Sequence, residues 1–288
     1  IIRTSSPKFG VLGLVLAYLL NTKIVYMVSG VGFIGLSNNI VIKFVYYFIK
    51  KLELFLLRRT KSFVLTENSN DYKYWAKKMS KERVKILCGA GVSNIYYDKY
   101  NSKKDKRVLF PSRFLISKGA QIFIEAANVL KIKYPDWEFA MIGSDDYNNP
   151  HLIKKEILEK AKNNKIVIVL PYRSDIHDII SSSSIVCLPT WREGKSKVLL
   201  EASASGCGVV TNNVIGCNDV FIHNKNSILA KKGDFKSLVL GIEKIIKDTK
   251  LLKKIQKNVR INPGHKSRLI KIVGSSKKIY IQLSEKFK

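Results

Sequence analysis

The sequence predicts an α/β protein of two domains built on parallel sheets, and three observations carry that prediction. Short apolar runs alternate with helical patterns from one end to the other, as in parallel strands joined by crossing helices. A polar segment at 98–106 interrupts the alternation and reads as a linker. With 288 residues, 46% of them hydrophobic, the chain can bury a sizeable core and is not of the disordered class.

In the first part, strands are predicted at 1–4, 24–28, 63–66 and 84–87, with helices near 8–20, 38–59 and 68–80. This half is short by several strands, and a chain that starts at Ile1 without an initiator methionine fits one lacking an N-terminal piece. The apolar run 9–20 falls short of the roughly 18 uninterrupted residues of a membrane span and reads as a buried helix. No small-residue cleavage site follows it, so it is not read as a secretory signal.

In the second part, strands are predicted at 108–111, 137–143, 166–170, 185–189 and 209–212. Helices alternate with them near 118–134, 151–163, 174–182 and 196–205, followed by 234–247 and 250–258. A last amphipathic helix covers 266–286. The domains are accordingly placed at 1–103 and 104–265, with 266–288 as a terminal helix. No solenoid repeat and no low-complexity segment interrupts this order.

The net charge of +29 has two readings, an attraction to anionic partners or lysines solvated over the whole surface of a lysine-rich chain. Residues 1–63 hold nine Lys or Arg against the single acid Glu53, within an apolar and aromatic stretch. By helical spacing, segment 38–59 sets Lys43, Lys50, Lys51 and Arg58 along one stripe and leaves Phe44, Tyr46, Tyr47, Phe48 and Phe55 on the remaining face. Two readings stay open: peripheral contact with an anionic membrane, or a core helix whose basic side meets water. Cys88, Cys187, Cys207 and Cys217 form no close pair, which fits a reducing cytosol and no disulfide framework. His151, His177, His223 and His265 show no metal-ligand spacing and are assigned no chemistry.

Two segments have the residue types for chemistry on a phosphorylated ligand. In 190–202 a predicted strand ends in a turn and a helix begins, with Glu193 in the turn and Glu201 on the helix. Open parallel sheets bind ligands at the carboxyl ends of their strands, and a helix start offers free N–H groups to a phosphate. Gly194 would let that backbone approach closely, Glu193 would face a sugar, and ionised Glu201 would accept hydrogen bonds from ribose hydroxyls. In a blander reading the two are a dipole-favoured acid and a solvated helix residue. In 108–119, Arg113 and Lys118 lie on the loop leaving the first strand of the second part, where a planar fork and a mobile ammonium can clamp a diphosphate; otherwise they are surface cations.

In this order, these segments resemble family 4 of the glycosyltransferases, a retaining group with two Rossmann-like domains of the GT-B type. Arg113 to Lys118-Gly119 resembles that family's R-x4-K-G, and Glu193 to Glu201 its E-x7-E. Further likenesses are Gly89-Ala90-Gly91-Val92, Tyr134-Pro135-Asp136-Trp137-Glu138-Phe139 leading to Ile142-Gly143, and Gly216-Cys217-Asn218-Asp219. The segments Thr4-Ser5-Ser6-Pro7-Lys8 and Ser29-Gly30-Val31-Gly32-Phe33 look like members that build bacterial surface polysaccharides.

The resemblance implies a nucleotide diphosphate sugar as donor, a lipid-linked saccharide acceptor, retention, no cofactor and no metal, and with these a cytoplasmic place at the inner membrane face; no basic motif with interleaved aromatics marks a nucleic-acid reader, so no nucleic-acid partner is expected. The donor would lie in the cleft between halves, with catalysis by Glu193, Arg113 and Lys118. Contacts to the donor would come from Arg113, Lys118, Gly194, Lys195, Ser196, Lys197, Val198 and Glu201, and Ser29 and Gly30 would lie on an acceptor or donor side.

Some positions depart from the family pattern. Ser29 stands where many members have histidine, Ser196 and Gly208 where proline is frequent, and Asp219 where glutamate is usual. The first domain normally begins upstream of what Ile1 starts, so the chain reads as N-terminally incomplete. Two alternatives remain: an inactive or fragmentary relative serving as a basic membrane-binding module, and a nucleotide-sugar epimerase of the same fold.

Overall fold

A computed structural model describes residues 1–5, 7–28, 39–87, 89, 91–144, 149–170 and 172–286. The chain divides into two compact units, Ile1–Gly89 with Ile272–Lys288, and Ala90–Lys271. Each is a parallel sheet with helical connections.

In the first unit the chain runs β1 (Ile2–Thr4), α1 (Pro7–Leu19), β2 (Ile24–Val28), α2 (Ile40–Arg59), β3 (Ser62–Thr66), α3 (Ser69–Lys78) and β4 (Val84–Ile86). The strands pair in sequence order, all parallel. Successive strand side chains point to opposite faces, and both faces of this sheet are covered. Ile24, Tyr26 and Val28 pack with Leu14, Leu57 and Trp75. Val25, Met27, Phe63 and Leu65 pack with Ile272, Ile279 and Leu283.

Helix α2 starts where the Asn39 side chain accepts hydrogen bonds from the Val41 and Ile42 N–H groups, and it ends on Arg58 and Arg59, which complement the helix dipole. Its one acid, Glu53, is buried, accepting from the Tyr26 hydroxyl at 2.8 Å and the Lys50 ammonium at 2.6 Å. Burial, reinforced by Glu53, holds the Tyr26 phenol well above its ordinary pKa. Lys50 therefore turns inward to a carboxylate and leaves the exposed basic stripe on which its spacing places it. The run 9–20 departs from the buried reading as well. Leu14 and Ala17 are buried, but Leu12, Leu16, Leu19 and Leu20 are exposed, because a helix at the surface of a sheet buries one side only.

The second unit runs α4 (Ile95–Asp98), β5 (Asp105–Pro111), α5 (Ala120–Lys133), β6 (Glu138–Ile142), α6 (Lys155–Asn163) and β7 (Ile168–Leu170). It continues through α7 (Ile176–Ser182), β8 (Ser183–Leu188), α8 (Lys197–Ala204), β9 (Gly208–Asn212), β10 (Ile228–Ala230), α9 (Phe235–Lys247) and α10 (Thr249–Ile261). Helix α11 (Leu269–Lys286) closes the chain.

The division falls upstream of the polar run read as a linker. Val92, Tyr96 and Tyr97 belong to the core of the second unit, and β5 already begins inside that run, where the Ser184 hydroxyl donates to the Asp105 carbonyl at 2.6 Å. Strand β10, three residues long, was not predicted; its pairing with β9 defines it.

The six parallel strands lie in the order β10-β9-β8-β5-β6-β7. The chain thus builds outward from β5 on one side through β6 and β7, then returns to β8 and builds outward on the other. The reversal between β5 and β8 is the switch point at which open sheets of this kind bind ligands, outside the carboxyl ends of the strands.

Candidate functional site at the carboxyl ends of β5 and β8

Because β5 and β8 are paired neighbours, with Leu109 opposite Val186, the loops that leave them are adjacent. The Trp191 N–H donates to the Ser117 carbonyl at 2.9 Å, and the Thr190 hydroxyl donates to the same carbonyl at 3.2 Å. Asn212, at the end of β9, donates through its side-chain amide to the Thr190 carbonyl at 3.1 Å. Backbone and side chain thus hold three strand ends in register.

Two glycines make this approach possible. Gly119 has φ +83°, and a Cβ there would stand 2.3 Å from the Pro189 carbonyl oxygen. Gly216 has φ +85°, and a Cβ would stand 2.1 Å from the carbonyl oxygen of Glu193, whose own N–H donates to the Ile215 carbonyl. Positive φ and backbone contact leave no room for a side chain.

The result is a meeting of opposite charges. The Lys118 ammonium donates to Glu193 Oε1 at 2.6 Å, with side chains 24% and 11% exposed. These residues, 75 apart in sequence, come from the two loops flanking the switch point.

Glu201 lies on α8, only 8% exposed. The solvated-residue reading is thereby excluded. Lys197, one turn earlier, holds its ammonium 3.6 Å from Glu201 Oε1, and the Tyr96 hydroxyl donates to the same carboxylate. Burial pushes the Glu201 carboxyl above its ordinary value, against the lowering influence of Lys197 and Tyr96. The Glu201 carboxyl is therefore desolvated yet partnered. The backbone bond from the Leu200 N–H to the Ser196 carbonyl, 3.2 Å, starts the helix, so the N–H groups before it have no acceptor within α8. Gly194, Lys195, Ser196, Lys197 and Val198 make up this turn and helix start, with Ser196 buried and Lys197 exposed.

Arg113 takes a different direction from Lys118. Its side chain is exposed and lines a cleft of about 250 Å³ at the ends of β5, β6 and β7, with Ser112, Gly143, Ser144, Tyr172 and Arg173. The two cations of the loop thus lie on either side of the strand they follow, Lys118 toward β8 and Arg113 toward β6.

Ser29 and Gly30 lie outside the described residues. Tyr96, Ser117, Thr190 and Asn212 were not anticipated. Tyr96 is separated by more than a hundred residues from the carboxylate it contacts, and the other three act by holding backbone, so no local pattern marks them. The His151 ring lies 5.8 Å from that of Trp191, and its backbone carbonyl accepts from the Ile116 N–H. Among the described residues, no cluster of three or more His, Cys, Asp or Glu side chains could hold a metal ion.

Residues 94–261 match the family described as glycosyl transferases group 1. The chain is 26% identical over 275 residues to the capsular polysaccharide biosynthesis glycosyltransferase CapM of Staphylococcus aureus, covering 90% of this chain and 70% of that protein. It is 26% identical over 299 residues to the UDP-Gal:alpha-D-GlcNAc-diphosphoundecaprenol alpha-1,3-galactosyltransferase of Escherichia coli, covering 98% of this chain and 75% of that one. Among solved structures, Anabaena HepE in complex with UDP superimposes with a TM-score of 0.80 at 19% identity, covering 99% of this chain and 78% of HepE. At that identity the likeness is one of fold, and the fold is the α/β, two-sheet GT-B type.

Proposed function

Because this chain belongs to the glycosyl transferases of group 1, we propose that it transfers a sugar from a nucleotide diphosphate sugar, with retention, to a lipid-linked saccharide during synthesis of a surface polysaccharide. The E. coli relative is named for a UDP-linked donor and a diphosphoundecaprenol-linked acceptor, and the S. aureus relative for capsule synthesis, which supports both ends of the reaction. The single observation that carries the reading is the Lys118–Glu193 contact at the switch point, with Glu201 buried on the adjoining helix.

In this reading the donor's diphosphate takes the place of Glu193 as the partner of Lys118. The ammonium then stabilises the negative charge that collects on the leaving phosphate, and Arg113 approaches it from the β6 side. Glu193, released from Lys118, faces the positive charge that develops at the anomeric carbon. The turn and helix start from Gly194 to Val198 present N–H groups to the phosphates. Glu201 holds the ribose hydroxyls, oriented by Tyr96 and Lys197. Protein cations supply the charge that a metal supplies in other transferases, and catalysis is positional and electrostatic. Ser29 and Gly30 are assigned to the acceptor or donor side, and the protein to the cytoplasmic face of a membrane, where a lipid-linked acceptor would be met.

Calorimetric titration with uridine, guanosine and adenosine diphosphates tests the donor site. At least one should bind, and Glu201→Ala should weaken it about 10- to 100-fold, the scale of hydrogen bonds to a charged group. Equal affinity in the variant would remove Glu201 from the site.

A further inference from the structure

Helices α1 and α2 pack against each other over the first unit's sheet, and both turn large apolar side chains outward. On α1 these are Leu12, Leu16 and Leu19, the last 70% exposed. On α2 they are Val41, Phe44, Phe48, Leu52 and Phe55, on successive turns, with Phe44 64% and Phe48 52% exposed. Apolar side chains scattered singly over a surface need no explanation, but stripes along two neighbouring helices mark an interaction face.

The charges on this face have one sign. The segment Phe9 to Leu20 has no charged residue, and the only acid of α2 is buried against Tyr26 and Lys50. Lys43, Lys51, Arg58 and Arg59 are all exposed. Lys51 lies over the Tyr47 ring at 4.6 Å and Arg59 over the Phe55 ring at 5.5 Å, so cations and rings occupy the same level.

That pattern selects the occupant. A second copy of the chain would set these cations against their own images, and an acidic protein would satisfy the cations but not the aliphatic stripes. A bilayer surface with anionic headgroups satisfies both, receiving rings and leucines in the interface and cations at the phosphates. No described helix is long and apolar enough to cross a membrane, so the helices would lie along the surface.

We propose that the α1–α2 face of the first unit seats on an anionic bilayer, with Leu12, Leu16, Phe44, Phe48 and Phe55 in the interface and Lys43, Lys51 and Arg59 at the lipid phosphates. This rests on the reading that the acceptor is lipid-linked, and it names the surface that would bring the chain to it.

The test is flotation of the full chain with vesicles of phosphatidylcholine alone or mixed with phosphatidylglycerol. Binding should require phosphatidylglycerol and fall with salt. Phe44→Ser with Phe48→Ser should lower it roughly tenfold or more, and Lys43→Gln and Lys51→Gln about fivefold each, with thermal unfolding unchanged. Equal binding to both vesicles, no binding to either, or full binding by the double Phe variant would overturn the proposal. So would a wild-type dimer that the double Phe variant converts to monomer. Nucleotide affinity measured on the same samples keeps the two readings separate: its loss with flotation intact sinks the donor site alone.

Discussion

Helices α2 and α5 are both rich in apolar residues, and they use them in opposite ways. Of fourteen residues, α5 buries Ala120, Phe123, Ile124, Ala126, Ala127 and Leu130 against the six-stranded sheet. Of twenty, α2 buries only Glu53, Leu56 and Leu57, and Phe44, Tyr47, Phe48 and Phe55 face outward. The same division runs through the two units. In the second, tight packing fixes a polar edge where Lys118 meets Glu193; in the first, a thin core leaves an apolar face. Hydrophobic content alone therefore does not say where the core lies, because burial depends on what is packed opposite.

The contrast can be broken at its strongest point first. If the edge of β5 and β8 is catalytic, Glu193→Ala should lower turnover about 10²- to 10³-fold, as when a charge-stabilising group is removed, while nucleoside diphosphate affinity changes little. Equal loss of turnover and affinity would make Glu193 a counterion of Lys118 and nothing more. Next is the thin core of the first unit. Leu57→Ala, at a fully buried side chain, should lower stability to urea by about 2–5 kcal/mol, and a smaller loss would show that this core is looser than its burial indicates.

A third effect follows from Glu201. Burial raises its pKa in the folded protein, so ionising it as pH rises from the ordinary carboxylate range through the raised value lowers stability. The ionised form is the one that accepts ribose hydroxyls, so nucleotide affinity should rise over the same window. Glu201→Gln should flatten both slopes, and retained slopes would assign them to another group. The smallest effect should be at the outward face: Phe48→Ala should change stability by no more than about 0.5 kcal/mol, and a loss on the scale of Leu57→Ala would mean that α2 is a core helix after all.

Much of this organisation was legible in the chain itself. Strand and helix periodicity revealed the α/β alternation because each element buries a face at its own repeat. The segments from Arg113 to Gly119 and from Glu193 to Glu201 were recognisable because a strand end, a turn and a helix start fall close together in sequence. The boundary was misplaced because a polar run resembles a linker even when it begins a central strand, as at Asp105. Strand β10 escaped because three residues have too little periodicity to stand out.

The sequence by itself determined the fold class, the likeness to the family and the residue types at the β5–β8 edge, since these rest on periodicity and short motifs. Only the tertiary structure decided that Lys118 pairs with Glu193, that Tyr96 reaches Glu201, that Lys50 turns inward and that Phe44, Phe48 and Phe55 of α2 face out. Each of these is set by which elements the sheet order places side by side, a long-range relation that no stretch of sequence contains.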